Sequence, residues 1–223
     1  MICILGTSHA PNYFRKAAEM KGIEQTDDIR EASLVLIAQD ARIGENGVRD
    51  LSEVAPYVAY AVAMTGCPIV LSTQVTPGFC RQLNIPRLYH MAETLRMMDA
   101  LERALRPEQF IIGCMSPAEP LPKALRDYLA EFGCPVWTLT YEEAEFSKIA
   151  INAFLAAQVD CTNRLASVAT KVGCDWHKVA RVLSHDRRIG RWAYLTPGRW
   201  RDSQHLLRDM VWLESAEGYG PDQ

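Results

Sequence analysis

The chain has 223 residues, of which 48% are hydrophobic and 23% charged, enough apolar material for a buried core and too much for a disordered class. A formal net charge of -3 at pH 7, with its 24 Lys and Arg spread along the chain, gives no basic footprint for nucleic acid. The longest apolar runs, such as residues 149–157 with Asn152 inside, fall far short of a membrane span.

The amino terminus has neither a basic leader nor a cleavage pattern, so a cytoplasmic protein is expected. Residues 1–6 (MICILG) read as a buried parallel strand closed by glycine, and residues 11–21 as a helix. Thr26 and Asp27 then precede a short helical stretch to residue 32, and residues 33–38 (SLVLIA) give a second buried strand. A loop holds Gly44 and Gly47. Asp50 is placed as the cap of a helix over 51–64, which Gly66-Cys67-Pro68 ends before a strand at 69–72. A helix over 98–105, a strand over 110–113, a helix over 123–132 and a strand over 135–139 follow. These βα units predict a truncated Rossmann-like α/β domain with a parallel sheet, residues 1–140.

From residue 141 the apolar period is helical only. Phe146, Ile149, Ala153, Ala157, Cys161, Leu165, Val168 and Val172 mark one long helix over 142–172, which Gly173 stops. Shorter helices over 175–183 and 204–213 complete an all-helical domain, 141–216, and 217–223 reads as a frayed tail. The seven cysteines form no C-x-x-C pair and have no histidine at metal spacing, so reduced thiols and no metal site are expected. Four of the five histidines, His9, His90, His177 and His185, are isolated and read as structural or surface residues.

The first half of the long helix, 146–157, is apolar nearly all round yet contains Lys148 and Asn152, four apart and therefore on one face. An unpaired buried ammonium is costly. Periodicity alone leaves two readings: Lys148 meets a nearby carboxylate or carbonyl while Asn152 ties down a loop, or both face a cleft. Asn163 extends the same stripe with a modest rotation.

The string Glu145-Phe-Ser-Lys148-Ile-Ala-Ile-Asn152-Ala-Phe-Leu-Ala, with Asn163 after it, resembles the central helix of the UDP-glucose/GDP-mannose dehydrogenase family. Ser72-Thr73 with Pro77-Gly78, Ala92-Glu93-Thr-Leu95-Arg96 with Ala100-Leu101 after it, and Asp186-Arg-Arg188-Ile-Gly190 with Pro197-Gly198 are similar to further family segments, in the same order across roughly residues 33–209. The resemblance implies a helical domain of the 6-phosphogluconate dehydrogenase-like type and a homodimer through the long helix. It also implies NAD-dependent oxidation of the C6 hydroxyl of a nucleotide sugar, in two hydride transfers through a cysteine thioester. By resemblance, Lys148 and Asn152 stabilise the oxyanion, Thr73 and Glu93 lie near the nicotinamide and the attacking water, and Asp209 follows the nucleophile. Gly6, Ser72 and Thr73 would hold the cofactor, and Lys148, Asn152, Asn163 and Arg188 the substrate.

Counting from Pro197-Gly198, the family's nucleophilic cysteine is His205 here, and the family's proton-handling glutamate is Met97. Imidazole replaces a thiolate poorly in thioester chemistry, so the second oxidation is expected to fail. Cys80 lies at no catalytic family position. The G-x-G-x-x-G turn reads Gly6-Thr7-Ser8-His9-Ala10-Pro11, and Glu24 is the only acidic candidate for a cofactor ribose. The family's third domain has no counterpart in these 223 residues. Two expectations follow. One is a nucleotide-sugar dehydrogenase-like protein without the full reaction. The other is a catalytically inactive homologue that binds a nucleotide sugar or serves assembly or regulation, including pairing with a full-length relative. His205 and Asp209, four apart in a helix, leave two readings, a remnant without a role and a His–Asp pair.

Overall fold

Leu34–Ile37 and Ile69–Leu71 contain no polar residue and are buried throughout, as strands covered by helices on both faces must be. They lie inside a six-stranded sheet. The computed structural model describes residues 1–44, 48–95 and 97–218, with Met97 as backbone alone. The loop glycine at 47, the Met97 side chain and the tail beyond 218 lie outside what is described.

In chain order the strands are β1 (Ile2–Leu5), β2 (Leu34–Ile37), β3 (Arg42–Ile43), β4 (Arg49–Asp50), β5 (Ile69–Leu71), β6 (Leu88–Met91), β7 (Phe110–Cys114) and β8 (Val136–Thr140). The helices are α1 (His9–Met20), α2 (Ala55–Met64), α3 (Phe79–Leu83), α4 (Ala100–Leu105), α5 (Lys123–Ala130), α6 (Tyr141–Lys171), α7 (Trp176–His185) and α8 (Gln204–Ala216). The main sheet has the order β1-β2-β5-β6-β7-β8, while β3 and β4 form a separate antiparallel pair. Alternation along β2 sends Leu34 and Leu36 into one apolar layer with Phe14, Val70, Ile112 and Leu125, and Val35 and Ile37 into the other with Val58, Ile69, Leu88 and Tyr141.

The expected α/β architecture is present, with three corrections. The sheet is only mostly parallel, because β6 pairs β7 antiparallel, His90 opposite Gly113; β7 starts at the end of the sheet where β6 stops. Residues 26–32 form turns rather than a helix, held by Thr26 Oγ1, which accepts the Asp28 N–H at 3.1 Å, and by Asp28 Oδ1, which accepts the Arg30 N–H at 3.0 Å. Helix α2 begins at Ala55, with proline in its first turn, while Asp50 sits in β4 and accepts the Ser52 N–H.

A single parallel bridge, Ile2 to Gln25, borders the outer edge of β1. Ile2 N–H donates to Glu24 O and Thr26 N–H to Ile2 O, and there the pairing ends. Further along β1 the Arg15 guanidinium donates to Ile4 O at 2.7 Å, a side chain taking a contact that a neighbouring strand would otherwise make.

Helix α6 runs on from β8 without a loop. Thr140 and Glu143 form a reciprocal capping box, Thr140 N–H to Glu143 Oε2 at 2.8 Å and Glu143 N–H to Thr140 Oγ1 at 3.3 Å. Its far end closes where Gly173 takes φ +73° and Cys174 N–H donates back to Ala169 O. The chain divides into two compact units, residues 1–44 with 49–148, and the part from Ile149 on. The second unit has its own small core of Ala156, Val159 and Trp200, flanked by Tyr194, Leu206 and Met210. Among the described residues no helix is long and apolar enough to cross a membrane.

Candidate functional site

In open α/β sheets ligands sit outside the carboxyl ends of the strands, which here means the turns after β1, β2 and β5. Gly6 has φ +128°, and a Cβ on it would lie 2.8 Å from Pro11 Cγ and 3.2 Å from Gln39 N. The space beside this glycine is therefore taken by the chain itself. Thr7 N–H donates to Gln39 Oε1 at 2.8 Å. Ser8 Oγ donates to Ala38 O at 3.2 Å and accepts the Asp40 N–H at 3.1 Å. Thr73 Oγ1 donates to Gln39 O at 2.7 Å, and Thr73 and Ser72 are both buried. Ser72 Oγ has no hydrogen-bond partner among the described residues.

A dinucleotide needs bare backbone N–H groups at this turn, room for its pyrophosphate and a carboxylate for its ribose. The residues present do not fit. The Thr7 N–H is committed to a carboxamide, Ser8 and Pro11 stand where the motif has glycine, and Glu24 flanks Ile2 at the end of β1 remote from Gly6.

In the same unit, Glu93 is half-buried after β6 and its carboxylate accepts the Leu95 N–H. Glu145, 1% exposed, uses Oε2 for the Gly78 N–H at 2.5 Å and Oε1 for the Cys80 N–H at 2.9 Å. It thereby fixes the turn into α3, where Gly78 takes φ +90°. Burial raises the Glu145 carboxyl above the ordinary range, although the two backbone donors pull it down. Burial, reinforced by Glu145, also pushes the Cys80 thiol up, so Cys80 is no nucleophile. Sequence reading passed over Glu145; its only signal is a carboxylate in an apolar helix run, three residues before Lys148. Lys148 itself is half-buried on α6.

In the second unit Asn152, 4% exposed, donates Nδ2 to Asp209 Oδ2 at 2.6 Å, and Asp209 is fully buried. Arg208 Nε donates to Asp209 Oδ1 at 3.3 Å, and Arg208 is 3% exposed. Its Nη2 has no hydrogen-bond partner among the described residues. A buried amide, carboxylate and guanidinium thus converge, with one strong donor left over. Arg208 was not singled out from sequence, where it looks like an ordinary helix cation. His205 is exposed in the first turn of α8.

The remaining candidates are engaged locally. Asn163 exchanges two hydrogen bonds with the backbone of Gly198, donating to its O at 2.7 Å and accepting its N–H at 2.9 Å. Arg188, with its side chain 89% exposed, closes on Asp186 through Nε and Nη2. That guanidinium holds the Asp186 carboxyl below its usual range.

A mostly parallel sheet followed along the chain by a helical unit on one long helix is the build of nucleotide-sugar dehydrogenases. Residues 142–216 match the model of the UDP-glucose/GDP-mannose dehydrogenase family, central domain, and the chain belongs to that family. A UDP-glucose 6-dehydrogenase of Pseudomonas aeruginosa is 31% identical over 183 residues, covering 74% of this chain and 40% of that protein. One of Rickettsia bellii is 26% identical over 223 residues, covering 91% and 50%. The structure of a UDP-glucose dehydrogenase from Pyrobaculum islandicum superposes with a TM-score of 0.73 at 19% identity, over 97% of this chain and 64% of that one. The chain spans half the length or less of these two curated relatives.

Proposed function

We propose that this chain binds a nucleotide sugar through the polar groups of α6 and α8 and does not carry out the family's four-electron oxidation. The observation that carries the binding reading is the Asn152–Asp209 contact with Arg208 beside it. A fully buried carboxylate flanked by a guanidinium with a spare buried donor is an expensive arrangement for stability alone, and polar ligands are recognised by such pre-placed groups. The relatives' names point to UDP-glucose as the first sugar to try.

The loss of oxidation rests on His205. Thioester formation needs a thiolate, and this position offers an exposed imidazole. Titration calorimetry with UDP-glucose and GDP-mannose tests the reading. Micromolar binding of one of them, weakened about tenfold or more in Asn152→Ala, in line with loss of one buried polar contact, is the expected result. Absence of heat up to millimolar ligand for both sinks it.

We further propose that the chain forms a homodimer along α6. Phe154, Leu165, Val168 and Val172, 73%, 43%, 50% and 67% exposed, lie with Cys161 on one stripe of that helix. Light scattering should give twice the chain mass for the wild type and the chain mass for Phe154→Asp; a monomeric wild type at micromolar concentration refutes the dimer.

A further inference from the structure

The turn after β1 is more than a glycine motif worn down by substitution. Its donors and its space have been taken over by the segment after β2. Three contacts converge on Gln39, which is 4% exposed. Its side-chain Oε1 accepts the Thr7 N–H, the donor that such a turn would offer to a phosphate oxygen. Its main-chain O accepts from Thr73 Oγ1, and its main-chain N stands 3.2 Å from the place of a Cβ on Gly6. Next to it, Ser8 Oγ bridges Ala38 O and the Asp40 N–H. The far end of the Gln39 carboxamide reaches Glu53 Oε2 at 3.5 Å, and Glu53 pairs with Arg42 at 2.5 Å.

We infer that Gln39 is an internal plug: its carboxamide and the peptide that carries it occupy the turn a dinucleotide pyrophosphate would need, so this chain does not bind NAD. Gly6 survives in this reading because Pro11 and the Ala38–Gln39 peptide need the room, which is a packing demand of the chain and owes nothing to a ligand. A dinucleotide would have to break the Thr7 and Thr73 contacts together, and would meet the Ser8 side chain after doing so. The inference stands apart from sugar binding, which concerns other residues.

The test combines titration with amide exchange on the full chain. Calorimetry with NAD and NADH should show no binding to millimolar cofactor. Hydrogen exchange at the Thr7 amide should be slow in the wild type, unchanged by NAD, and at least about tenfold faster in Gln39→Ala, where the acceptor is removed. Micromolar NAD binding by the wild type, or slowing of Thr7 exchange when NAD is added, overturns the plug. Fast Thr7 exchange in the wild type also overturns it. If Gln39→Ala does not fold, the wild-type arms decide. UDP-glucose binding without NAD binding supports both proposals. NAD binding would refute this one and leave the sugar reading to its own titration.

Discussion

Asn152 and Asp209 stand 57 positions apart in the chain and meet at 2.6 Å, where Asp209 has no exposure at all. Neither α6 nor α8 demands this contact for its own sake, since both residues have poor helix propensity compared with alanine. Asn152→Ala leaves one carboxylate oxygen without its amide donor in a dry environment, which costs about 1–3 kcal/mol. A fall in the urea midpoint by an equivalent amount is expected, and Asn152→Asp, which sets two carboxylates together, should fall further. An unchanged midpoint in Asn152→Ala would show that the contact is energetically idle.

Glu145 joins the start of α6 to the turn before α3 through two backbone donors. Glu145→Ala strands both N–H groups and is expected to destabilise by about 2–3 kcal/mol. Glu145→Gln keeps an acceptor for one of them and should lose less. Chemical denaturation of the two variants gives the order; equal losses would mean that volume, and not hydrogen bonding, sets the effect.

His90 sits in β6 at 2% exposure, and burial lowers its pKa to about 4 against a hydrogen bond to the Leu71 backbone that raises it. The unfolded chain takes up a proton near pH 6.5 while the folded chain does not until about pH 4. Stability from this site is therefore complete above pH 6.5 and declines as pH falls through that window, by about 3 kcal/mol at its foot. Thermal melts between pH 7 and 4 should show this slope, and His90→Leu should flatten it. A slope that persists unchanged in the variant assigns it to other groups.

Cys161 and Cys174 are exposed, whereas Cys3, Cys80 and Cys114 are buried, and burial pushes all three of those thiols up. Maleimide labelling of the dilute native chain should modify the first two fastest. Cys161 lies on the apolar stripe of α6, so its labelling should slow as protein concentration rises while that of Cys174 stays ahead of it. Equal concentration dependence at both sites would count against the stripe as the contact.

Much of this fold can be read from residues, because a run such as LVLI in β2 has one reasonable fate and a helix of 31 residues imposes its period repeatedly. Strand β6 (LYHM) escapes that logic, since a histidine in the run breaks the apolar pattern, and the residue opposite it, Gly113, leaves the room: a Cβ there would lie 3.3 Å from the His90 Cβ. The turns at 26–32 resemble a helix start for a chemical reason: an Asp carboxylate that accepts a nearby N–H serves a helix start and a tight turn equally well. The antiparallel β6–β7 pairing is a matter of chain path that no local window carries.

The candidate site divides in the same way. Lys148 and Asn152 are conspicuous because polar groups interrupt an apolar helix face. Glu145 and Gln39 are ordinary letters in their own segments, and only the partners brought to them from distant positions, 67 residues away for the Glu145–Gly78 contact, give them meaning; Arg208 gains its meaning from its neighbour Asp209, which Asn152 reaches from 57 positions away.

The Arg15 guanidinium that lies along the outer side of β1 also governs what the molecule can associate with. A bare strand margin is a template on which other chains extend a sheet, and proteins that leave one open invite aggregation. Here a single bridge at Gln25 occupies the start of that margin, and a cation holding Ile4 O occupies the next position. At this edge the sheet ends on a charge, and a charged side chain across the open carbonyl blunts the strand as a template for another chain.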